Sequence, residues 1–226
     1  KQINARVGIS RVLISQQKYP QARALLDSLL ENKNASLEIK QQLKIQLYNV
    51  YYQMGRLDEA YDGFANFAAQ YPAHALAPYA HYKIGTIHAD REEFEKAIDE
   101  YQLVLDDYAE SNVVDQAVLG IGTQMSRMGR HEEAVAYLQD FLATDSLADA
   151  AMAIYLKIAE IQGEQLERPG DALKTYDRAL ATLANDNRYS YAAYKYGMLL
   201  KEVGREKQAI AAFEKVAKKD AAIYRA

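Results

Sequence analysis

The sequence has no cysteine, few prolines and glycines, and no long apolar stretch. The absence of Cys from its 226 residues excludes disulfides, thiolate metal sites and a Cys nucleophile. With only 4 Pro and 11 Gly, there is no Pro-rich or Gly-rich linker, so we predict one domain over residues 1–226. No apolar run approaches the roughly 20 residues of a membrane-spanning helix, and we predict no membrane insertion by this chain.

The net charge of −4 hides an uneven distribution. Residues 1–56 carry 9 Lys/Arg against 3 Asp/Glu, residues 57–200 carry 11 against 24, and residues 201–226 carry 7 against 4. An acidic middle argues against a continuous nucleic-acid track, which needs basic residues along the phosphates. We therefore predict no nucleic-acid partner and interpret most of these charges as solvated helix faces.

An Ala-x-x-x-Phe/Tyr/Leu pattern recurs along the whole chain. Its first alanines are 37 or 38 residues apart. A fixed period of this size indicates a solenoid, because each unit buries its apolar face only by stacking on its neighbours. We therefore expect function on a surface and not in a catalytic pocket. The six alanines are Ala22, Ala60, Ala97, Ala134, Ala172 and Ala209.

Each unit is predicted to be a pair of antiparallel helices. In the unit around Ala134, apolar residues recur at helical spacing over residues 118–125, and Gly129 then breaks the helix. Glu132 and Glu133 open the second helix, where acidic side chains favour the N-terminal dipole. The unit around Ala172 has one additional residue, which we assign to a longer turn over residues 165–171.

These units resemble the tetratricopeptide repeat, whose pattern is W-x-x-L-G-x-x-Y, then A-x-x-x-F, then P. Small residues that match its Leu-Gly glycine, and that let paired helices approach closely, are Gly85, Gly122, Ala159 and Gly197. Trp is absent, the final Pro occurs only as Pro72, and the period exceeds 34 residues. We expect the additional residues to lengthen a helix end or the connection between pairs. The alternative is the Sel1-like repeat, a similar helical family with a longer period and a Gly-rich turn in each unit. Only residues 168–171 are similar to such a turn.

The resemblance implies an all-α fold, an α-solenoid of about six antiparallel helix pairs wound as a right-handed superhelix. Residues 71–74 and 108–111 each precede an alanine-aromatic helix start, which resembles repeats of bacterial cell-envelope proteins. This favours a periplasmic or outer-membrane-associated location over a cytoplasmic one. The sequence begins at Lys1 without Met and ends where another repeat would begin, so we interpret it as a fragment of a longer protein.

Tyrosine is unusually frequent, with 18 Tyr against 5 Phe and no Trp. The resemblance implies that the first helix of each pair lines a concave groove. Tyr offers contact area and a hydroxyl at low entropic cost, which suits a binding surface. Carried onto this sequence, the inward positions give a predicted partner-binding groove of Asn49, Tyr52, Tyr79, Tyr82, Thr86, Arg127, Tyr191 and Tyr194. In the last two repeats the same register also turns inward Leu156, Glu160, Glu164, Met198, Lys201 and Glu202. The alternative is that the tyrosines only pack between repeats.

The resemblance also implies a non-enzymatic scaffold that binds a protein or peptide. Two alternatives stay open: a structural module of an envelope assembly, secretion or exopolysaccharide-export machine that binds through its ends or convex face, and recruitment of polysaccharide by stacking on tyrosines. No phosphate-binding loop or hydrolase motif occurs, so we predict no enzyme and no cofactor. His81 and His88 lie two helical turns apart, about 10 Å, too far to share a zinc ion; we predict no metal site.

Overall fold

The structure, a computed structural model, describes residues 2–144 and 150–223. These residues form twelve α-helices and one short π-helical segment, and they contain no strand. The predicted all-α fold of helix pairs is confirmed. The helices are α1 (Gln2–Ser15), α2 (Tyr19–Leu30), α3 (Leu37–Gln53), α4 (Leu57–Gln70), α5 (Ala77–Asp90), α6 (Phe94–Asp107), α7 (Val114–Arg127), α8 (His131–Ala143), α9 (Ala151–Glu160), α10 (Pro169–Thr182), α11 (Tyr189–Glu202) and α12 (Glu206–Ile223).

The turns within pairs and the connections between pairs have different lengths. Three residues separate the helices of a pair, as residues 91–93 separate α5 from α6. Where the structure describes the whole connection, six residues join one pair to the next, as residues 71–76 do after α4 and residues 183–188 do after α10. Because most helices span 14 residues, the additional length of the repeat lies in the connection, one of the two places that we expected.

The turn inside each pair contains one residue with a left-handed backbone, five positions before the repeat alanine. Glycine adopts this conformation without steric cost, and the predicted helix break at Gly129 is confirmed, since α7 ends at Arg127 and α8 begins at His131. Other residue types lose roughly 1–2 kcal/mol there. The six left-handed residues are Gln17 (φ 58°), Gly55 (71°), Glu92 (60°), Gly129 (79°), Glu167 (53°) and Gly204 (75°).

Small residues bring the two helices of a pair into close contact. A Cβ added to Gly85 of α5 would lie 2.6 Å from Cε1 of Tyr101 on α6. In the second pair the small residue lies on the second helix and the aromatic ring on the first. A Cβ added to Gly63 of α4 would lie 2.3 Å from the Tyr48 ring on α3. The repeat alanines complete these contacts, and none of the six is more than 3% exposed. The predicted close approach of paired helices is therefore confirmed.

The unit around Ala172 accommodates its additional residue in its first helix. After α9 the chain continues as a π-helical segment, Ile161–Gln165. The turn that follows, residues 166–168, has the same three-residue length as the others. Since π-helical hydrogen bonds span one residue more than α-helical bonds, this segment absorbs the insertion. Our prediction of a longer turn over residues 165–171 is wrong for this reason.

The chain divides into two compact units, residues 1–114 and 115–226. In the first unit, a core around Phe64, Phe67 and Ile87 joins α3, α4 and α5. In the second unit, Leu173 of α10 packs with Leu200 of α11 and with α12. The second helix of one pair thus packs on the following pair within each unit, as α4 does on α5 and α10 on α11. No helix in the described residues is long and apolar enough to cross a membrane.

Candidate functional site

In the first unit, three of the predicted groove residues meet where α3 packs beside α5. The Tyr79 hydroxyl donates a hydrogen bond to Oδ1 of Asn49 at 2.9 Å. The Tyr52 hydroxyl donates to Oδ2 of Asp90 at 2.6 Å. The Lys83 ammonium lies 4.3 Å from the centre of the Tyr52 ring and 6.0 Å from that of Tyr79. These tyrosines are therefore both surface groups and links between neighbouring repeats.

The environment of this cluster keeps its tyrosines protonated. Burial raises the pKa of Tyr52, and its hydrogen bond to Asp90 raises it further. Burial also raises the pKa of Tyr79 and lowers that of Lys83. The hydroxyls of Tyr52 and Tyr79 consequently act as hydrogen-bond donors at neutral pH. Tyr79 also packs edge-on against the buried Phe64, with ring centres 6.3 Å apart.

The other predicted residues of α5 lie against its partner helix, and Arg127 lies on α7. The ring of Tyr82 packs at 5.7 Å from that of the buried Tyr101 on α6. The Thr86 hydroxyl donates to the backbone oxygen of Tyr82 at 2.9 Å. Arg127 is the exposed last residue of α7, and its Nη1 donates to Oε1 of Gln124 at 3.4 Å. Tyr82 and Thr86 are half-buried, whereas Arg127 is open to solvent.

In the second unit, α11 presents an exposed apolar face. Tyr191, Tyr194 and Met198 are 56%, 49% and 44% exposed. Their spacing of three and four residues places them on one side of the helix. The ring of Tyr194 also contacts Phe213 of α12, with centres 5.9 Å apart. The two predicted tyrosines are thus far more open than those of the first unit, and Met198, which the register turned inward, continues their face.

A groove of about 580 Å³ lies beside this face, between α11 and the end of α9 with its π-helical segment. Of the positions that the register turned inward in the last two repeats, it contains Glu160, Glu164, Met198 and Glu202 but not Leu156, Tyr191, Tyr194 or Lys201. The register did not point to Lys195, although this residue directly follows the predicted Tyr194. The full lining is Ala159, Glu160, Gly163, Glu164, Glu167, Pro169, Tyr176, Lys195, Met198, Leu199, Glu202 and Val203.

The groove is acidic. Four carboxylates line it against one ammonium group, that of Lys195, whose Nζ lies 3.9 Å from Oε1 of Glu164. Lys157, outside the lining, holds Glu160 at 2.7 Å. At the base of the groove, burial raises the pKa of Tyr176 to about 12, with smaller contributions from Tyr191 and the nearby glutamates. The arrangement can receive cationic and apolar groups side by side.

The histidines serve as local links. Nδ1 of His81 lies 2.8 Å from Oε2 of Glu100, and Nδ1 of His88 lies 2.5 Å from Oε2 of Glu93. His74 accepts a hydrogen bond from the backbone of Leu76 in a connection between pairs. Across residues 2–144 and 150–223, no group of three or more His, Asp or Glu side chains is placed to hold a metal ion.

Residues 190–221, which span most of α11 and α12, match the family model of the tetratricopeptide repeat. The pair formed by α11 and α12 is therefore a tetratricopeptide repeat. The remaining pairs repeat the features of the matched one, namely a three-residue turn, a left-handed residue and a buried alanine five positions later. No curated protein matches the sequence.

Solved structures share this fold at low sequence identity. The crystal structure of a tetratricopeptide repeat protein from Parabacteroides merdae ATCC 43184 is 14% identical with a TM-score of 0.62, covering 96% of this chain and 79% of that one. PilF of Pseudomonas aeruginosa is 16% identical with a TM-score of 0.63, covering 96% and 90%. MamA is 16% identical with a TM-score of 0.55, covering 80% and 98%. At these identities the likeness establishes the fold alone.

Proposed function

We propose that this protein is a non-enzymatic scaffold that binds a segment of a partner protein on the inner helices of its pairs. The observation that carries the proposal is the exposed face of Tyr191, Tyr194 and Met198 beside the groove of the second unit. Contiguous exposed aromatic and Met side chains are characteristic of protein interfaces, where Tyr often supplies much of the binding energy.

The dimensions of the exposed face of α11 suit a peptide segment. Tyr191 and Met198 are seven residues apart on α11, which is about 10 Å along the helix axis. Three or four residues of an extended chain cover that distance. The groove continues past Met198 to Glu202 and Val203 at the end of α11, so a longer segment would keep contact along the whole helix.

The cluster of the first unit is a second candidate contact surface of the same scaffold. Asn49, Tyr52, Tyr79, Tyr82 and Thr86 lie on α3 and α5, the first helices of their pairs. Since the hydroxyls of Tyr52 and Tyr79 are already bonded within the chain, a partner would contact mainly the ring faces. Arg127, exposed on α7, is a further candidate contact.

A second mode of binding, through the ends or the outer face, has its own support. Ile9 and Val12 on α1 are 52% and 53% exposed, and Ile210 on α12 is 58% exposed. A structural module of an envelope, secretion or polysaccharide-export assembly would use such residues. We also propose the periplasm or outer membrane as its location, which fractionation of cells producing the full protein would test.

Site-specific photo-crosslinking in the native cell separates these modes. A photoreactive amino acid is placed at Tyr191, at Ile9, or at the exposed Asp140 of α8 as a control. We expect a defined protein partner to crosslink from Tyr191 and not from Asp140. The partner should be lost when Tyr191 and Tyr194 are both replaced by Ala, with helical content unchanged. Crosslinks from Ile9 alone would favour binding through the ends, and crosslinks to glycan would favour polysaccharide.

The tyrosines of the first unit need a gentler substitution. Tyr79→Ala would remove a packing contact with Phe64 as well as the hydroxyl. Tyr79→Phe removes only the hydrogen bond to Asn49 and keeps the ring. If the ring contacts the partner, Tyr79→Phe should bind like the wild type, while Tyr82→Ala should weaken binding. Equal affinities of all three proteins would restrict these residues to packing between repeats.

A further inference from the structure

The exposed face of α11 lies next to negative charge and not next to neutral surface. Glu160 and Glu164 approach the groove from α9 and the π-helical segment, and Glu202 approaches from α11. Lys195 is the single cation in the lining and lies at 3.9 Å from Glu164, a long separation for an ion pair. The apolar side chain of Met198, which belongs to both the exposed face and the groove lining, therefore borders an excess of carboxylate.

The π-helical segment contributes directly to this charge pattern. Gly163 and Glu164 lie within it, and Glu167 follows in the left-handed turn; all three line the groove. This is the repeat with the additional residue in its first helix, so the insertion and the groove coincide. Single π-helical turns inside α-helices occur frequently at functional sites. Two of the four carboxylates, those of Glu164 and Glu167, thus come from the irregular part of the repeat.

We propose that this groove, together with the exposed face of α11 beside it, takes a partner segment in which Lys or Arg flanks an apolar side chain. The apolar group packs on Tyr191, Tyr194 and Met198, and the cations face Glu164 and Glu202. The inference rests on the proposed function, because it names the partner chemistry of the same groove. Complementary charge selects the partner and accelerates encounter, while the aromatic face provides burial. An acidic segment would meet four carboxylates against one ammonium group in the groove lining.

The test is a selection from a displayed library of random twelve-residue peptides on the full chain. We expect the enriched peptides to carry net positive charge together with at least one aromatic or large aliphatic residue. Synthetic versions are then titrated by fluorescence anisotropy against the wild type and the Glu164→Gln/Glu202→Gln variant. At exposed ion-pair strengths, loss of two carboxylates should weaken binding roughly 2- to 30-fold, and added salt should narrow the difference.

A matched control removes two carboxylates elsewhere in the same unit. Asp140 of α8 and Glu214 of α12 are exposed and lie outside the groove lining. The Asp140→Asn/Glu214→Gln variant changes the net charge by the same amount and should bind as the wild type does. Circular dichroism checks that all variants keep their helical content. If both variants lose the same peptide affinity, the loss is due to the overall charge of the protein, and the proposal is overturned.

The outcomes separate this inference from the function on which it rests. Enriched peptides that are neutral or acidic, yet lose binding on Tyr191→Ser/Tyr194→Ser, would overturn the charge inference and leave the exposed face of α11 as the binding site. Peptides insensitive to those tyrosine changes would overturn both. Light scattering measures the oligomeric state and so tests whether a second copy of the chain occupies the groove. If the protein forms a dimer that Glu164→Gln/Glu202→Gln abolishes, the groove binds a second copy of the chain, and the proposal of a partner segment is overturned.

Discussion

Replacing Gly85 by Ala tests the packing of paired helices in the most direct way. The new Cβ would lie 2.6 Å from Cε1 and 2.8 Å from Cδ1 of Tyr101. The ring cannot easily withdraw, because Tyr101 is only 3% exposed and the Tyr82 ring packs 5.7 Å away. Overpacking of this kind costs about 1–3 kcal/mol. Ala in place of Gly inside a helix stabilises by about 0.5–1 kcal/mol, so we expect a net loss of about 0–2.5 kcal/mol, whereas Gly8→Ala should give a gain.

The same substitution at Gly8 is the matched control. Gly8 lies in the middle of α1, and a Cβ there would have no heavy atom within 4 Å. Gly8→Ala should therefore stabilise by about 0.5–1 kcal/mol through helix propensity alone. Urea unfolding followed by far-UV circular dichroism measures both variants.

A double-mutant cycle identifies the cause of the Gly85 effect. In a Tyr101→Ala background the clash is absent, so Gly85→Ala should become neutral or stabilising. The difference between the two backgrounds measures the contact itself. If Gly85→Ala stabilises the protein as much as Gly8→Ala does, the close approach of α5 and α6 described here is incorrect.

Three further changes have expected outcomes. Gln17→Gly should raise the free energy of unfolding by about 0.5–1 kcal/mol and Gly129→Ala should lower it by about 1 kcal/mol, because both positions are left-handed; effects of the same sign in thermal melts would contradict this. Ala97→Leu should destabilise by about 1–3 kcal/mol, since Ala97 is fully buried, and a wild-type melting temperature would refute the assigned register. Burial raises the pKa of Tyr101 and Tyr176 from 10.0 to about 12. The unfolded chain therefore loses these protons first, and stability should fall between pH 10 and pH 12; Tyr176→Phe should make the fall shallower in urea titrations at each pH.

The helix pairs could be predicted from the sequence because their signals are local and repeated. The alanine period, the apolar spacing and the glycine of the turn each reflect one unit, and six copies reinforce them. The left-handed residues were only partly visible. Gly129 predicted its turn because glycine favours the left-handed conformation. Glu92 and Glu167 adopt the same conformation, although glutamate does not favour it. Their constant distance from the repeat alanine could have revealed them.

The side-chain partners between repeats could not be predicted. The register placed Tyr52 and Tyr79 on neighbouring inner helices, but their bonds to Asp90 and Asn49 depend on side-chain rotamers and on the exact offset of α3 and α5. For the same reason, the sequence could not show where the additional residue before Ala172 is accommodated. Sequence spacing counts a residue without showing which hydrogen-bond pattern includes it. The high solvent exposure of Tyr191 could likewise be determined only once the positions of the surrounding helices were known.

The π-helical segment has a consequence for how this chain can change in length. One residue inserted into an ordinary α-helix rotates everything after it by about 100°, so the far end would present the wrong face to its neighbour. Here the rotation is taken up within Ile161–Gln165, and Ala172 still packs with Ala159 and Tyr176 as its counterparts do in other pairs. This array therefore accommodates a copy that is one residue longer without loss of the packing between its two helices.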